Sequence, residues 1–235
     1  MTEKKIESKF YDRNYFKVRY VDNLQPYYRL VNLLDEMDLH KDDIVFDFGC
    51  GTGLLLKAFT EYGISIKQYS GIDFSVSAIE MAKEEASTRP DPGFPIQFEN
   101  SDILAFCTSH PGQANAAFAM DFSEHVADQE WLDFLQSIYR SLDKKNGRLF
   151  LHTPNAEFLL EIMKRHNFIL KQFPDHIAVR SGEENANLLK QAGFRKVTVR
   201  HIAHYIPILK PLHLLRWLPV IGKFFKARLF IIAEK

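Results

Sequence analysis

Apolar residues recur along this chain with two periods that alternate. The stretches Ile44 to Phe48, Tyr69 to Ile72, Ile96 to Glu99, Ala116 to Met120 and Arg148 to His152 are short and rich in β-branched or aromatic residues, which predicts strands. Helical apolar spacing falls near 54 to 62, 75 to 87, 129 to 142, 156 to 168 and 183 to 192. Such an alternation predicts a mostly parallel sheet with helices on both faces. Two further strands are read at Lys196 to His201 and Leu229 to Ala233, separated by an apolar and basic insertion, residues 206 to 228. Upstream, Leu24 to Met37 carries helical spacing through Leu30, Leu33, Leu34 and Met37, after a polar and aromatic segment with Tyr11, Tyr15, Phe16 and Tyr20. No repeat, low-complexity tract or linker interrupts the pattern, so one domain over 1 to 235 is expected.

One junction in this pattern carries chemistry. "FDFGCGTG", residues 46 to 53, places three glycines at alternate positions between an apolar strand and the helix opening at Leu54. In a doubly wound sheet the first strand-to-helix turn lies where ligands bind, at the point where strand order reverses. Glycines there let the main chain take positive φ and let a ligand approach without an intervening Cβ. A dinucleotide fingerprint, G-x-G-x-x-G, would need a glycine at position 54, where this chain has Leu54. Asp47 lies on the strand side of the first glycine, poorly suited to a pyrophosphate and well suited to an ammonium group or a bridging water under a cationic ligand. A nicotinamide oxidoreductase is therefore disfavoured.

Composition narrows the class further. Hydrophobic residues make up 46% and charged residues 26% of 235, values of a globular protein rather than a disordered chain. Cys50 and Cys107 offer no zinc spacing, and MTEKKIESKF lacks the apolar core of a signal peptide, so a cytoplasmic setting is expected. The formal net charge of zero hides an asymmetry: between Glu184 and Glu234 there are nine Lys or Arg and no acid.

The motifs taken in order resemble those of the class I S-adenosylmethionine-dependent methyltransferases. Asp47 through Gly53, with Gly49, Gly51 and Gly53, match the family's D-x-G-C-G-T-G turn. The resemblance implies that Asp73, followed by Phe74 in "SGIDFS", binds the ribose hydroxyls. It further implies that Asp102 in "NSDIL" takes the adenine amino group with Ile103 at the ring edge, and that Met120 lines the cofactor pocket. "GRLFLHTPN" and "LLKQAGF" are similar to the family's fifth strand and the helix before its sixth. The expectation is a Rossmann-like α/β fold of seven strands with the last antiparallel, residues 1 to 40 acting as an N-terminal lid and S-adenosylmethionine as cofactor. Taken singly, Asp73 and Ser75 could equally be helix N-caps, and loop aspartates like Asp102 are common.

The acceptor chemistry is less determined. Asp121-Phe122-Ser123-Glu124-His125 follows the fourth strand, on the ligand edge, and its D-x-x-E-H is similar to the E-x-x-E-H of the ubiquinone-biosynthesis O-methyltransferases and the small-RNA 2′-O-methyltransferases. Three readings stay open: Glu124 and His125 cap the next helix or position substrate, His125 is an unaided general base, or Asp121, Glu124, His125 and His176 of "FPDHIAVRS" hold a divalent metal. The metal is the least expected, since aspartate replaces the first glutamate. His152 reads as a satisfied strand-end residue and Cys50 as a small turn residue.

The insertion interleaves large apolar side chains with Lys210, Arg216, Lys223, Lys226 and Arg228, and Pro207, Pro211 and Pro219 break it up. Such a surface suits anionic lipid or a lipid-tailed acceptor, against the alternative of a cap packed on the sheet edge with its cations solvated. The expected activity is O-methylation of a small or lipid/prenyl-type acceptor, and peripheral membrane contact stays open beside the packed cap. The rivals are an RNA 2′-O-methyltransferase, disfavoured because nothing resembles an RNA-binding module, and a non-catalytic S-adenosylmethionine-binding protein.

Overall fold

A computed structural model describes residues 10–204 and 206–235, with the side chains of Pro207 and Ile208 outside the description. The sheet has seven strands: β1 (Ile44–Phe48), β2 (Gln68–Asp73), β3 (Ile96–Asn100), β4 (Ala116–Met120), β5 (Arg148–Pro154), β6 (Lys196–Ile202) and β7 (Arg228–Glu234). Their order is β3-β2-β1-β4-β5-β7-β6. The first five run parallel, and β7 pairs antiparallel with both β5 and β6. Every expected strand is present, within two residues of its expected ends.

Side chains alternate across the sheet because successive Cβ atoms of a strand point to opposite faces. Phe46, Phe48, Ala117 and Leu149 pack on one face with Trp131, Leu135 and Ile138. Val45, Phe118 and Phe150 pack on the other with Leu30, Leu55 and Phe59. The first set of helical partners comes from α6 (Asp128–Ser141), the second from α2 (Gln25–Val31) and α3 (Leu54–Glu61). The remaining helices are α1 (Arg13–Phe16), α4 (Val76–Ser87), α5 (Ile103–Ser109), α7 (Leu159–Arg165) and α8 (Gly182–Gln191).

The elements depart from expectation at three places. The periodic stretch 24 to 37 is two pieces, α2 and a 3₁₀ turn at Leu34–Glu36. The helix expected over 156 to 168 contracts to the seven residues of α7, preceded by a run in which Asn155 N donates to Ala227 O and Ala156 N to Arg180 O. Helix α5, which no periodicity announces, is nucleated by its cap: Asp102 Oδ1 accepts from Leu104 N at 2.8 Å and from Ala105 N at 3.4 Å. Seven residues are too few to show a period, and the cap does the signalling instead. Of the N-terminal segment, residues 1 to 9 lie outside the described residues.

Candidate functional site

Strand order reverses between β1 and β4, and at the C-terminal ends of these strands a cavity of about 170 Å³ opens. Its floor is the glycine turn. Gly49, Gly51 and Gly53 have φ of 70°, 53° and 78°. At Gly49 the demand is double, since a Cβ would also stand 2.6 Å from Phe122 Cδ2. The turn is tied to the neighbouring strand, Gly49 N and Cys50 N both donating to Ile72 O at 2.8 and 3.1 Å. Cys50 fills the space above Gly71, and burial pushes its thiol well up, so it is packing rather than a nucleophile.

Two buried carboxyls face this turn. Asp47 is 2% exposed and accepts from Tyr69 Oη at 2.6 Å. Burial pushes it up to about 7, Tyr69's hydrogen bond opposing and the charge of Asp73 adding. Asp73 closes β2 with one backbone N–H on each oxygen, Gly51 N at 3.0 Å and Ser75 N at 2.9 Å. Burial raises it to about 6 against those bonds. Ser75 is the N-cap of α4, so the cap reading belongs to Ser75 and Asp73 keeps a lone pair per oxygen for a ligand. Phe74, Asp102, Ile103 and Met120 also line the cavity, Asp102 with one oxygen already committed to capping α5. Gly53 lines no part of it and serves as the left-handed N-cap of α3.

The far wall comes from the N-terminal segment. Tyr11, Tyr15, Phe16 and Tyr20 line the cavity, Phe16 approaching Gly51 and Tyr11 lying edge-on to Phe74 with centroids 5.5 Å apart. Main-chain and side-chain bonds fasten the segment down. Ser75 Oγ donates to Tyr11 O at 2.6 Å, Tyr15 Oη donates to Asp175 Oδ2 at 2.8 Å, and Arg19 Nη2 reaches Asp175 Oδ1 at 3.0 Å.

At the acceptor end, His125 lines the cavity, and the chain beyond β5 folds back over it. Ile177 N and Ala178 N both donate to Glu124 O, at 2.9 and 3.1 Å. This pairing carries His176 to Glu124 and His125, with one ligand-capable atom from each within 4.8 Å of the others. His125 Nδ1 faces Asp175 O at 3.0 Å, which leaves Nε2 as the basic nitrogen if Nδ1 carries the proton. Burial lowers His125, and burial together with His125 lowers His176 to about 3, so both rings are neutral. His176 Nδ1 is buried without a hydrogen-bond partner. Glu124 is raised to about 8 by burial and by the charge of Asp121, while Thr153 Oγ1 donates to it at 3.1 Å.

Asp121 does not join that group. It is held by Arg29 of α2 at 2.5 Å and by Arg228 at the start of β7, with His152 Nδ1 2.9 Å away. Burial would raise Asp121, but the Arg228 and Arg29 guanidiniums hold it well below the usual carboxylate range. His152, pushed down to about 4 by burial, accepts from Arg228 Nε at 3.1 Å and is a packed strand residue as expected. A ligand set of four including Asp121 is therefore corrected to Glu124, His125 and His176, because two arginines already neutralise the aspartate.

A family model described as a methyltransferase domain matches residues 20–199, about three quarters of the chain. The chain belongs to this methyltransferase family. Its curated relatives include the ubiquinone biosynthesis O-methyltransferase of Thiobacillus denitrificans, 28% identical over 155 residues that make up 63% of each chain. That of Escherichia coli K12 is 25% identical over 181 residues, 70% of this chain and 67% of the other. The chain thus spans a little under two thirds of the length of the first of these relatives. Among solved structures, a SAM-dependent methyltransferase from Archaeoglobus fulgidus superposes with a TM-score of 0.67 at 18% identity, covering 94% of this chain and 99% of the other. The small RNA methyltransferase HEN1 superposes with a TM-score of 0.67 at 17% identity, over 90% of this chain and 25% of that one. These two likenesses establish the fold.

Several residues at this site carry no signal strong enough to read from the sequence. Phe122 and Phe134 close one side of the cavity, and Asp175 orients His125 while anchoring Tyr15 and Arg19. Asp175 had a signal, an acid directly before His176, but its partners lie about 50 and 160 positions away.

Proposed function

We propose that this methyltransferase transfers the methyl group of S-adenosylmethionine to an oxygen of a small or lipid/prenyl-type acceptor. The observation that carries the reading is a cavity with buried acids beside a bare glycine turn at one end and a neutral imidazole, His125, at the other. The residues fit the cofactor: two buried carboxyls raised by desolvation favour a cationic, hydroxyl-bearing ligand, and at Gly49 the turn has no room for a side chain. Asp47 would hold the amino group, Asp73 the ribose hydroxyls, and Asp102 with Ile103 the adenine edge, while Met120 lines the pocket. S-adenosylmethionine supplies a sulfonium methyl open to in-line attack, so alignment and a deprotonated oxygen are what the protein must add.

His125 Nε2 would take the acceptor's proton, the contact of Nδ1 with Asp175 O at 3.0 Å supporting that orientation of the ring. Tyr11, Tyr15, Phe16 and Tyr20 act as a lid that excludes water and offers ring faces to a cationic ligand. The oxygen preference and the quinone-like acceptor draw on the names of the curated relatives.

A second reading has its own observation. Glu124, His125 and His176 converge within 4.8 Å, and His176 Nδ1 lacks a partner, which fits a divalent ion held by one carboxylate and two imidazoles. Such an ion would lower the pKa of a bound hydroxyl. One experiment addresses both readings: methyl-labelled S-adenosylmethionine is incubated with a prenylated dihydroxybenzene, with and without a strong chelator. Label on oxygen, lost about a hundredfold or more in His125→Gln with S-adenosylhomocysteine binding intact, is expected. Binding with no label transferred to any oxygen acceptor overturns the proposal, and label transfer indifferent to chelator removes the metal.

A further inference from the structure

We infer that the segment between β6 and β7 is a docking surface for an anionic lipid bilayer, seating the cavity's edge against the membrane. Its first part, Pro207–Trp217, is a 3₁₀ helix rather than an α-helix. In that geometry side chains three apart eclipse one another and form straight ridges. The 11 residues make three ridges of different character. Leu209, Leu212 and Leu215 are the least exposed aliphatic row; Lys210 and Arg216 form a cationic row with His213 between them, whose ring is kept on the neutral side by burial and by Arg216; Pro211, Leu214 and Trp217 form an apolar row standing in solvent. Leu214 is 75% and Trp217 78% exposed, and Val220, three residues on, is 88% exposed. Arg216 lies over the Trp217 ring at 4.8 Å, a cation beside an aromatic as interfacial segments use.

Leu214, Trp217 and Val220 are too exposed to belong to a cap packed on the sheet edge. Val220 also takes φ of 64°, a backbone region that a β-branched residue avoids, at the most exposed point of the segment. The turn is held by its main chain, Gly222 N donating to Leu218 O at 3.0 Å, so the Val220 side chain stands outward without packing.

Charge selects the occupant. From residue 185 to 233 the chain has no acid, and Lys210, Arg216, Lys223 and Lys226 belong to this segment. Glu157, 3.9 Å from Lys223, is the one acid in salt-bridge range of these four cations among the described residues. A second copy of this chain docked here about a two-fold axis would set this patch against itself and bring no acid of the segment to its cations. A phosphate backbone would meet the cations and leave the aliphatic row wet. A bilayer with anionic headgroups accepts both rows, the apolar one at the acyl boundary and the cationic one among the phosphates. Among the described residues no helix is long and apolar enough to cross a membrane. At about 2 Å per residue the 3₁₀ helix spans roughly 22 Å, a length to lie along the surface.

The segment leaves and re-enters the sheet at the ligand edge. Arg228, the first residue of β7 directly after the segment, pairs in register with Pro154 at the end of β5 and reaches Asp121, a lining residue of the cavity. Asn155 Nδ2 fixes it there by donating to Lys226 O at 2.7 Å. Docking would turn the cavity toward the lipid, a consequence that rests on the proposed lipid-type acceptor, whereas binding itself does not.

The protein carries its own reporter, since Trp131 is fully buried and Trp217 stands in solvent. Vesicles of phosphatidylcholine containing phosphatidylglycerol should shift the emission of the intact protein to the blue and protect it from acrylamide. Leu214→Asp with Val220→Asp, both exposed and away from the cavity, should weaken binding about tenfold or more, and so should Lys210→Glu with Lys223→Glu. Both variants should bind S-adenosylhomocysteine as the parent does, which separates this test from that of methyl transfer. Unchanged emission with anionic vesicles overturns the inference, as does a shift that neither double variant reduces. A shift without lipid that grows with protein concentration would assign the surface to a second copy and also overturn it.

Discussion

The charge state of Asp47 offers the sharpest test of the cofactor reading. In the free protein burial holds this carboxyl at about 7, with Asp73 nearby adding to the rise and Tyr69 opposing it. A bound ammonium group favours the ionised form, so the pKa of Asp47 must fall on binding. The sign follows: below the free-state value, binding has to expel a proton, and affinity rises with pH until Asp47 is already ionised. With a free-state value of about 7, roughly one molecule in eleven is ionised at about pH 6 and ten in eleven at about pH 8. Affinity for S-adenosylhomocysteine should therefore rise about tenfold over that interval, about 1.4 kcal/mol. Asp73, raised to about 6, contributes a further factor of about two if its ionised form accepts from the ribose. Asp47→Asn should keep only that smaller factor. At about pH 8 it should bind about thirtyfold more weakly, roughly 2 kcal/mol for an ammonium left without its partner. Titration calorimetry at the two pH values, in buffers of matched ionic strength, reads both effects. An affinity equal at both pH values, or an Asn variant with the parent's full pH dependence, would refute the placement of the amino group on Asp47.

Two further outcomes follow from the packing around the site. Gly49→Ala combines a left-handed backbone with a Cβ 2.6 Å from Phe122 Cδ2, so it should destabilise by about 2–4 kcal/mol in urea unfolding. A loss within about 0.5 kcal/mol would mean that the turn relaxes freely. Asp121→Asn removes the carboxylate that the Arg29 and Arg228 guanidiniums share, whereas Arg228→Met leaves Asp121 still paired with Arg29. The first should therefore cost about 3 kcal/mol or more and the second less, and the reverse order in denaturant melts would contradict the pairing.

Much of the fold was legible in residue order alone. Strands of alternating or continuous apolar character, a glycine turn after the first and acids at successive strand ends specify the layers and the ligand edge, because each signal is local in the chain. The cofactor side of the candidate site was legible for the same reason, as Asp47, Asp73, Asp102 and Met120 each sit next to a strand end. The short helix α5 was not, since its signal is a single capping carboxylate rather than a period.

Only the tertiary structure decided what the remaining groups do. The pattern D-x-x-E-H treats Asp121 and Glu124 alike, yet two arginines from distant elements claim Asp121, and Glu124 is left raised to about 8 by burial. His176 reaches His125 because two main-chain N–H groups beyond β5 find the carbonyl of Glu124, a pairing no spacing encodes. The insertion before β7 shows the same division. Its residues name an apolar and cationic segment, but whether the cations share a ridge with the leucines or stand apart from them depends on three residues per turn rather than 3.6, and the prolines and the anchoring at Asn155 settle that in three dimensions. Local order thus determined which elements exist, while long-range hydrogen bonds and charge neutralisation determined which side chains meet.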